Sequence, residues 1–274
     1  MIRVGVLGAA GRMGSTVCRA VHDAPDLELV AAVDPMHAGL DLAQVCGLRG
    51  TGLQLAAKPA ALEEAGADVA VDFTVIGAAR EHLRWCAEAG VHAVVGTTGF
   101  GAAELAELAE RFAASTANAV IAPNFAIGAV LMMRFAELAA PWFETAEIIE
   151  LHHDAKTDAP SGTAVLTARR MAAASGDWAP DPTETTVAAG ARGGRVEGIP
   201  VHSLRLRGLV AHQEVLLGTT GQTLTIRHDS TDRASFMPGV LLAVRRVAER
   251  PGLTLGLDVL LGLGDESPGG PHGV

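Results

Sequence analysis

Residues 2–14 read IRVGVLGAAGRMG, an apolar, β-branched run that leads directly into three glycines spaced three residues apart. The apolar run favours a strand and the glycines a tight turn, while the Ala- and Val-containing stretch behind them suits a helix. The pattern therefore predicts a strand over 2–7, a turn, and a helix over 11–22. A strand that enters a helix through such a turn is the first unit of a parallel sheet with helices on its faces.

The glycine-rich turn also predicts a dinucleotide-binding site. Backbone amides at the start of a helix hold a pyrophosphate, and glycine lets them approach it closely. The spacing is GxxGxxG rather than GxGxxG, so a merely structural turn is the alternative. Asp34 supports the site, because it ends the next strand twenty residues after Gly14, where an acid accepts hydrogen bonds from an adenosine ribose. An acid there repels the 2′-phosphate of NADP, so NADH is the favoured cofactor. Arg12 could pair with that phosphate, so use of NADPH is not excluded.

The alternation of strands and helices continues through the first half of the chain. Predicted strands cover 2–7, 27–33, 68–73, 91–95 and 119–122, and predicted helices cover 11–22, 78–89, 102–114 and 127–140. Open α/β sheets bind ligands at the carboxyl ends of their strands, so residues there are candidates for further cofactor contacts. These candidates are Phe73, Thr74, Gly96, Thr97, Thr98, Ala122, Pro123, Asn124 and Phe125.

A second pattern begins after Pro141. It comprises a predicted strand over 146–152, a helix over 163–174, and alternating runs over 201–209, 214–217 and 222–228. The last two runs flank a GTTG turn and predict an antiparallel hairpin. A helix over 233–250 and an apolar run over 253–263 close the fold. The predicted fold class is α/β, with an N-terminal Rossmann-like, doubly wound parallel sheet and a C-terminal α+β domain that contains a mixed sheet.

Domain boundaries follow from this change of pattern. Residues 1–126 with 236–263 form the predicted dinucleotide-binding domain, residues 127–235 the second domain, and residues 264–274 a disordered tail rich in Gly and Pro. The connection 188–198 carries four glycines besides Arg192 and Arg195. It is either a mobile lid over a bound anion or an exposed loop.

The composition limits the classes of partner. The chain of 274 residues has a net charge of -10, with 31 acidic residues against 21 Lys and Arg. This balance excludes general attraction to nucleic acid or to an anionic membrane, so an anionic ligand needs a locally positive site. No uninterrupted run of about eighteen apolar residues occurs, so no membrane span is predicted. Three widely spaced cysteines without a CxxC pair suggest neither a disulfide framework nor a zinc site, and they favour the reducing cytoplasm.

Residues 150–163, ELHHDAKTDAPSGT, form the densest cluster of reactive side chains in the sequence. A solvated polar loop is the alternative to an active site here. Metal binding by His152 and His153 is disfavoured, because neighbouring residues on a strand point to opposite faces. The segment therefore predicts an active site that holds no metal.

A helix start ends this segment, where Ser161 or Thr163 caps the helix and Gly162 brings amides close to a carboxylate. Lys156 precedes it and is one of only two lysines in the chain, with Lys58. An ammonium group loses its proton when desolvated and a guanidinium does not, so Lys156 suggests proton transfer or close charge stabilisation, with chance placement as the alternative. The chain contains no tyrosine, which excludes a Tyr general acid.

The pairing of GAAGRMG at 8–14 with EIIELHHDAKTDAPSGTA at 147–164 resembles the dihydrodipicolinate reductase family, whose signature is close to E-x-H-H-x-x-K-x-D-A-P-S-G-T-A. The long motif is very specific. The likeness extends through DFT at 72–74, GTTG at 96–99, APNFAIG at 122–128 and, more loosely, RHDSTDRASFMPGV at 227–240. It covers the whole chain except the residues from 264 onward.

The resemblance implies a nicotinamide-dependent reductase that converts 4-hydroxy-tetrahydrodipicolinate, a small dicarboxylate, to tetrahydrodipicolinate and water in diaminopimelate and lysine biosynthesis. It also implies a homotetramer built through the C-terminal sheets, so that 127–235 serves for substrate binding and oligomerisation. His152 then resembles the proton donor or acceptor, and Lys156 the second proton donor. The implied substrate contacts are His153, Ser161, Gly162 and Thr163. The implied cofactor contacts are Gly8, Ala9, Ala10, Gly11, Arg12, Met13 and Asp34, with the strand-end residues named above.

The sequence also departs from the family pattern and leaves other classes open. Ala155 stands where many members have a third His, and basic residues near the expected ribose position are few. The alternatives are another two-domain dehydrogenase of an amino-acid pathway and a non-catalytic NAD(H)-binding sensor. A semialdehyde dehydrogenase needs a Cys nucleophile, and none of Cys18, Cys46 and Cys86 lies in a convincing context. A sensor has no use for the reactive cluster at 152–156.

Overall fold

The computed structural model describes residues 1–263, and the predicted tail 264–274 lies outside the described residues. The first elements in chain order are β1 (Ile2–Leu7), α1 (Arg12–Asp23), β2 (Leu27–Val33), α2 (Leu42–Cys46), α3 (Ala60–Glu64), β3 (Val69–Asp72), α4 (Ile76–Ala89), β4 (His92–Val95), α5 (Ala102–Ala113) and β5 (Ala119–Ile121). They continue as α6 (Ile127–Ala139), β6 (Thr145–His152), α7 (Gly162–Ala174), β7 (Gly194–Val196), β8 (Ile199–Arg205), β9 (Ala211–Thr219) and β10 (Gln222–Ser230). The last are α8 (Met237–Arg246) and β11 (Leu253–Leu255).

The chain divides into two compact units. The first combines Met1–Phe125 with the chain from Phe236 onward, and the second is Ala126–Ser235.

No helix within residues 1–263 is long and apolar enough to cross a membrane.

The first unit is built on a six-stranded sheet in the order β11-β5-β4-β3-β1-β2, in which every pairing is parallel. Strands of such a sheet are buried on both faces, and Val4, Val6 and Leu7 of β1 are accordingly fully buried. Because β1 lies between β2 and β3, the strand order reverses there, and ligands of doubly wound folds bind at such a switch point. The predicted Rossmann-like sheet is confirmed.

The second unit is an α+β structure on a mixed five-stranded sheet in the order β10-β9-β6-β8-β7. Its central strand β6 is antiparallel to β9 and parallel to β8. Alternate residues of β6, namely Ala146, Ile148 and Glu150, are buried, and α7 packs on this strand. The predicted α+β pattern with a mixed sheet is therefore confirmed.

The predicted hairpin is formed by β9 and β10. Thr219 pairs with Gln222, so only Thr220 and Gly221 remain in the loop. Gly221 has a φ of 80°, as two-residue hairpin turns with a positive φ require. Both strands are longer than predicted, because the ladder continues to the pair Ala211 and Ser230.

Two sequence predictions in the second half are wrong in extent. The predicted strand over 201–209 ends at Arg205, since Gly208 turns the chain with a φ of 88°. The predicted helix over 233–250 is broken into a 3-10 turn, α8, and a second 3-10 turn. Pro238 explains the first break, because proline lacks an N–H and fits only the first turn of a helix. The short elements α2, α3 and β7 were not predicted, since so few residues show no clear periodicity.

Candidate active site

The glycine-rich turn after β1 depends on two glycines. Gly8 has a φ of 74°, in the left-handed region. Its amide and that of Ala9 donate to the carbonyl oxygen of Val33, at 2.8 and 3.0 Å. A Cβ on Gly14 would lie 2.0 Å from the carbonyl oxygen of Gly8, so only glycine lets α1 lie this close to the turn. The turn thus holds the start of α1 close to the end of β1, which places the first amides of the helix where a pyrophosphate site requires them.

Asp34, the predicted ribose-binding acid, is tied to this turn. Its Oδ2 atom accepts a hydrogen bond from the amide of Ala10 at 3.2 Å. Its Oδ1 atom accepts one from the amide of Met36 at 3.2 Å and lies 2.9 Å from Nδ1 of His37. These contacts hold the carboxylate at the end of β2, beside the start of α1. Sequence reasoning did not single out His37, which contacts Asp34 only through the turn that follows β2.

Hydrogen bonds of Asp72 and Thr74 connect the carboxyl end of β3 with α4 and with the carboxyl end of β4. Its buried carboxylate accepts from the amide and the hydroxyl of Thr74, at 2.7 and 2.6 Å, and lies 2.7 Å from Nδ1 of His82. The hydroxyl of Thr97 donates to the carbonyl oxygen of Thr74 at 2.7 Å. The structure therefore brings Thr74 and Thr97, two predicted cofactor contacts, into direct contact.

Close packing extends this group to the glycine-rich turn and to the segment after β5. A Cβ on Gly96 would lie 2.0 Å from Cε1 of Phe73, and the rings of Phe73 and Phe125 have centroids 5.7 Å apart. A Cβ on Gly8 would lie 2.8 Å from Cγ2 of Thr74. These close approaches bring the predicted cofactor contacts Phe73, Thr74, Gly96 and Phe125 together with the glycine-rich turn at the carboxyl ends of the strands. Of the other predicted cofactor contacts, Ala9 and Ala122 are buried, Ala10, Met13 and Asn124 are half-buried, and Gly11, Arg12, Thr98 and Pro123 are exposed.

Glu150 is the centre of the reactive segment in the second unit. It is fully buried, and its carboxylate lies 2.5 Å from Nδ1 of His152, two residues further along β6. Arg205 of β8 donates to both carboxylate oxygens, at 2.9 and 2.8 Å, and the amide of Ser161 donates to Oε1 at 3.2 Å. Burial raises the pKa of Glu150, but the hydrogen bonds from His152 and Arg205 outweigh it and hold the pKa at about 2. The carboxylate is therefore ionised at neutral pH.

Lys156 lies in the loop between β6 and α7. Its Nζ donates to both carboxylate oxygens of Asp158, at 2.7 and 2.8 Å, and this contact lowers the pKa of Asp158. The amide of Lys156 donates to the carbonyl oxygen of His153 at 3.2 Å. Arg205 donates to the carbonyl oxygen of Asp158 at 2.6 Å. The loop that carries Lys156 is thereby attached to the same guanidinium that binds Glu150.

The start of α7 follows this loop. Ser161, rather than Thr163, is the N-cap: its Oγ accepts from the amide of Ala164 at 3.2 Å. The amides of Gly162 and Thr163 belong to the first turn of α7, where the helix dipole is positive. Gly162 is exposed, and a Cβ there would meet nothing within 4 Å, so an anion has room at this helix end.

The arginines of the 188–198 connection have acidic partners within the second unit. Arg192 donates to Glu147 and Arg195 to Asp181, each at 2.5 Å. Their charges are compensated there, which favours the interpretation of this connection as an exposed loop.

Within residues 1–263 we find neither a group of side chains arranged to bind a metal ion nor an exposed cysteine. Among residues 1–263, no three His, Cys, Asp or Glu side chains are grouped so that they could hold a metal ion. Cys18, Cys46 and Cys86 are all buried. A buried thiol is inaccessible as a nucleophile, which argues against a semialdehyde dehydrogenase.

Sequence reasoning missed the contacts of Glu150, although one of them had a signal. Glu150 and His152 lie two residues apart on a predicted strand, and such residues share a face. Arg205 had no comparable signal, because it lies 55 residues from Glu150 in the chain. It reaches the carboxylate through the register of β6 and β8, in which it pairs with His152.

The first unit is a Rossmann-like sheet with a glycine-rich turn, and the second unit holds an ion-paired histidine near a helix start. Together these features define a nicotinamide-dinucleotide-dependent oxidoreductase. Comparison with known families identifies which family of such oxidoreductases this is. The family model described as Dihydrodipicolinate reductase, N-terminus matches residues 2–125, and the one described as Dihydrodipicolinate reductase, C-terminus matches residues 128–261. The chain belongs to the dihydrodipicolinate reductase family, as its motifs predict.

Individual relatives agree with this assignment. The 4-hydroxy-tetrahydrodipicolinate reductase of Nocardia farcinica is 55% identical over 267 residues, which cover 96% of this chain and 99% of that protein. The reductase of the same name from Streptomyces coelicolor is 52% identical over 266 residues, 96% of this chain and 98% of that protein. The solved structure of dipicolinate-bound dihydrodipicolinate reductase from Paenisporosarcina sp. TG-14 is 40% identical and has a TM-score of 0.84, covering 94% of this chain and 99% of that chain.

Proposed function

We propose that this chain reduces 4-hydroxy-tetrahydrodipicolinate to tetrahydrodipicolinate and water, with NAD(P)H as the reductant, in the synthesis of diaminopimelate and lysine. The observation that carries the proposal is the ion-paired cluster around Glu150. The carboxylate of Glu150 is hydrogen-bonded to His152, to the amide of Ser161 at the cap of α7, and to Arg205. Arg205 in turn donates to the loop that carries Lys156. The cluster thus supplies two groups that carry protons and a helix start that attracts anions.

The first unit is proposed to hold the cofactor. The glycine-rich turn supports this, because a Cβ on Gly14 would collide with the carbonyl oxygen of Gly8, so glycine there keeps the start of α1 close to the end of β1, where helix amides can hold a pyrophosphate. When bound, the cofactor supplies a hydride to the electron-poor carbon of the cyclic imine. The residues proposed to contact it are Gly8, Ala9, Ala10, Gly11, Arg12, Met13, Asp34, Phe73, Thr74, Gly96, Thr97, Thr98, Ala122, Pro123, Asn124 and Phe125.

NADH is the proposed preferred form of the cofactor. Asp34 lies against the glycine-rich turn, where its carboxylate accepts hydrogen bonds from a ribose and repels a 2′-phosphate. Arg12 is exposed at the start of α1, and its guanidinium is proposed to pair with the 2′-phosphate of NADPH, so that NADPH serves as a second, weaker cofactor.

The start of α7 is proposed to hold the substrate carboxylates. The amides of Gly162 and Thr163 lie in its first turn, and the positive end of the helix dipole favours an anion there. His153 and Ser161 are the remaining proposed contacts. Ser161 is buried and its oxygen caps the helix, so its proposed contribution is to hold the first turn of α7 in place, with its hydroxyl proton left for donation. The relative from Paenisporosarcina was solved with dipicolinate, itself a dicarboxylate. A dicarboxylate suits a locally positive site on a chain whose net charge is -10.

His152 and Lys156 are proposed to manage the proton. Loss of the 4-hydroxyl group with a proton, as water, leaves a conjugated cyclic imine. Its reduction by hydride leaves negative charge that a proton on the neighbouring carbon must neutralise. His152 offers its Nε2 atom for this transfer, since its Nδ1 atom faces Glu150. Lys156, held by Asp158, is the second proposed donor and stabilises charge in the transition state.

A homotetramer in the cytoplasm is the proposed state of the protein. Residues 222–225 of β10, at one edge of the second sheet, are exposed and include Leu224, which suits an interface between copies. The three cysteines are buried thiols, as proteins of a reducing compartment carry.

Absorbance at the nicotinamide band tests the proposed function. Pyruvate and aspartate semialdehyde are condensed freshly, and the purified protein is added with NADH or with NADPH. We expect oxidation of the cofactor that requires the complete condensation mixture and stops when aspartate semialdehyde is left out. An absence of oxidation with both cofactors overturns the proposal.

A further inference from the structure

Glu150 is a carboxylate that the sheet of the second unit buries completely. Taking an ion out of water costs several kcal/mol or more unless its oxygens are fully hydrogen-bonded. Arg205, Ser161 and His152 supply those bonds, and each approaches from a different part of the fold: β8, the cap of α7, and the end of β6. Because burying this carboxylate costs free energy that an apolar side chain would not, we look for a functional role of Glu150 in addition to packing.

Arg205 determines both the ionisation state of the Glu150 carboxylate and the orientation of its plane. Its guanidinium donates to each oxygen, at 2.9 and 2.8 Å, and such a two-pronged pair sets the plane of the carboxylate. The positive charge also keeps Glu150 ionised. An ionised carboxylate only accepts hydrogen bonds, so the neighbouring ring nitrogen of His152 must be the donor.

This contact decides which nitrogen of His152 is reactive. With the proton of Nδ1 directed at Glu150, the neutral ring carries its lone pair on Nε2. The charged ring carries a transferable proton on the same atom. The side chain of His152 is 15% exposed at the end of β6, so the ring reaches the surface of the unit while Glu150 does not.

We propose that Glu150, held by Arg205, is a positioning residue for His152 that keeps the neutral ring in the Nδ1–H tautomer and so leaves Nε2 free for the proton transfer. The inference rests on the proposed function, in which Nε2 of His152 exchanges the proton. Because Glu150 is fully buried, it acts through His152 and not on the substrate.

The same strand carries a matched control. Glu147 lies 2.7 Å from Nε2 of His202 and accepts a hydrogen bond from Arg192, so it repeats the combination of carboxylate, imidazole and guanidinium. It precedes Glu150 by three residues on β6 and therefore points to the opposite face of the sheet. Glu147→Gln removes the same charge from the same strand without touching His152.

The first test needs no variant. Nitrogen-15 NMR of the histidine-labelled protein at about pH 9, where imidazole rings are neutral, reports which ring nitrogen carries the proton. His152→Gln identifies the signal of residue 152. We expect Nδ1–H for His152 in the unaltered protein and a rise of Nε2–H in Glu150→Gln, because an amide can donate to Nδ1. An Nε2–H tautomer in the unaltered protein overturns the inference.

Kinetics give the second test. For Glu150→Gln we expect kcat to fall about 10-fold to 100-fold, by analogy with the loss of a carboxylate that orients a metal-bound histidine, with the KM values for substrate and NADH nearly unchanged. Glu147→Gln is expected to keep the kcat of the unaltered protein. An unchanged kcat in Glu150→Gln overturns the inference, and so does an equal loss in both variants, which indicates a general structural effect.

Two further outcomes remain interpretable. If Glu150→Gln does not fold, Arg205→Lys takes its place, since a lysine keeps the charge but loses the two-pronged clamp, and an unchanged kcat there also overturns the inference. If the unaltered protein itself has no activity, the proposed function fails, while the NMR result still decides whether Glu150 sets the tautomer.

Discussion

The Oδ2 atom of Asp34 lies 3.2 Å from the amide nitrogen of Ala10, so the acid that ends β2 is bound to the glycine-rich turn that ends β1. The two strands are neighbours in the parallel sheet, and their carboxyl ends therefore meet at one edge. This contact holds a negative charge beside the start of α1, where a dinucleotide phosphate is expected.

Replacing Asp34 should change the preference between cofactors. In Asp34→Ser the repulsion of a 2′-phosphate is lost, and we expect the ratio of kcat/KM for NADPH over NADH to rise on the order of tenfold, or about 1.4 kcal/mol. Asp41→Ser is the control, because the carboxylate of Asp41 also accepts a backbone hydrogen bond, from the amide of Gln44 at 3.1 Å, and we expect its cofactor ratio to stay unchanged. Equal ratios in Asp34→Ser and the unaltered protein contradict this role of Asp34.

Adding a methyl group at Gly14 should damage the cofactor site. A Cβ there would lie 2.0 Å from the carbonyl oxygen of Gly8, so Gly14→Ala forces α1 away from the turn. We expect loss of NADH binding by calorimetry and a free energy of unfolding lower by about 1–3 kcal/mol. Gly77→Ala in α4 is the control: nothing lies within 4 Å of a Cβ there, and its stability should not decrease. Normal NADH affinity in Gly14→Ala rules out tight packing at this turn as a requirement.

Removing either proposed proton donor should slow the chemical step. His152→Gln and Lys156→Ala are each expected to lower kcat by about 10² or more, the usual effect of losing a general acid. Lys58→Ala is the matched control, since Lys58 is the other lysine of the chain and is exposed in the first unit. Steady-state rates with the condensation product measure all three. Normal turnover in either donor variant assigns the proton transfer to another group.

The ion pair of Glu150 should make stability depend on pH in the acid range. Its pKa of about 2 in the folded protein lies below the value of about 4.3 in an unfolded chain. The unfolded state therefore binds the proton first as the pH falls. The contribution of Glu150, on the order of 3 kcal/mol, is fully present above about pH 4.3 and is lost as the pH falls toward 2.

Urea unfolding at several pH values between neutrality and pH 3 measures this effect. We expect the difference in unfolding free energy between the unaltered protein and Glu150→Gln to shrink as the pH falls, because the glutamine carries no charge to lose. A difference that stays constant over this range contradicts the assigned ion pair.

Much of the first unit was predictable from short segments. β1 and β2 have the predicted bounds, and α5 differs from its prediction by a single residue. Each of these elements is specified locally, by an apolar run of the right length or by a helical repeat between glycines. The family resemblance, carried by the motifs at 8–14 and 147–164, is confirmed for the same reason: both motifs are contiguous in the chain.

Prediction failed where neighbours in space determine the structure. The edge strand β7 has too little pattern of its own and exists because its residues pair with β8. The end of β8 at Arg205 and the break before α8 depend on Gly208 and Pro238, whose effect on a run of apolar residues is easily underestimated.

The side chains proposed to react could therefore be predicted from the sequence alone, because His152, Lys156 and the start of α7 lie within one short segment. Their electrostatic setting was not. Arg205 pairs with His152 only when β8 lies parallel to β6, and that register brings its guanidinium to Glu150 across 55 residues of chain. Residue order determines which groups are present, whereas burial and strand pairing decide which of them meet, because only the folded sheet brings Arg205 and His152 to the buried carboxylate of Glu150.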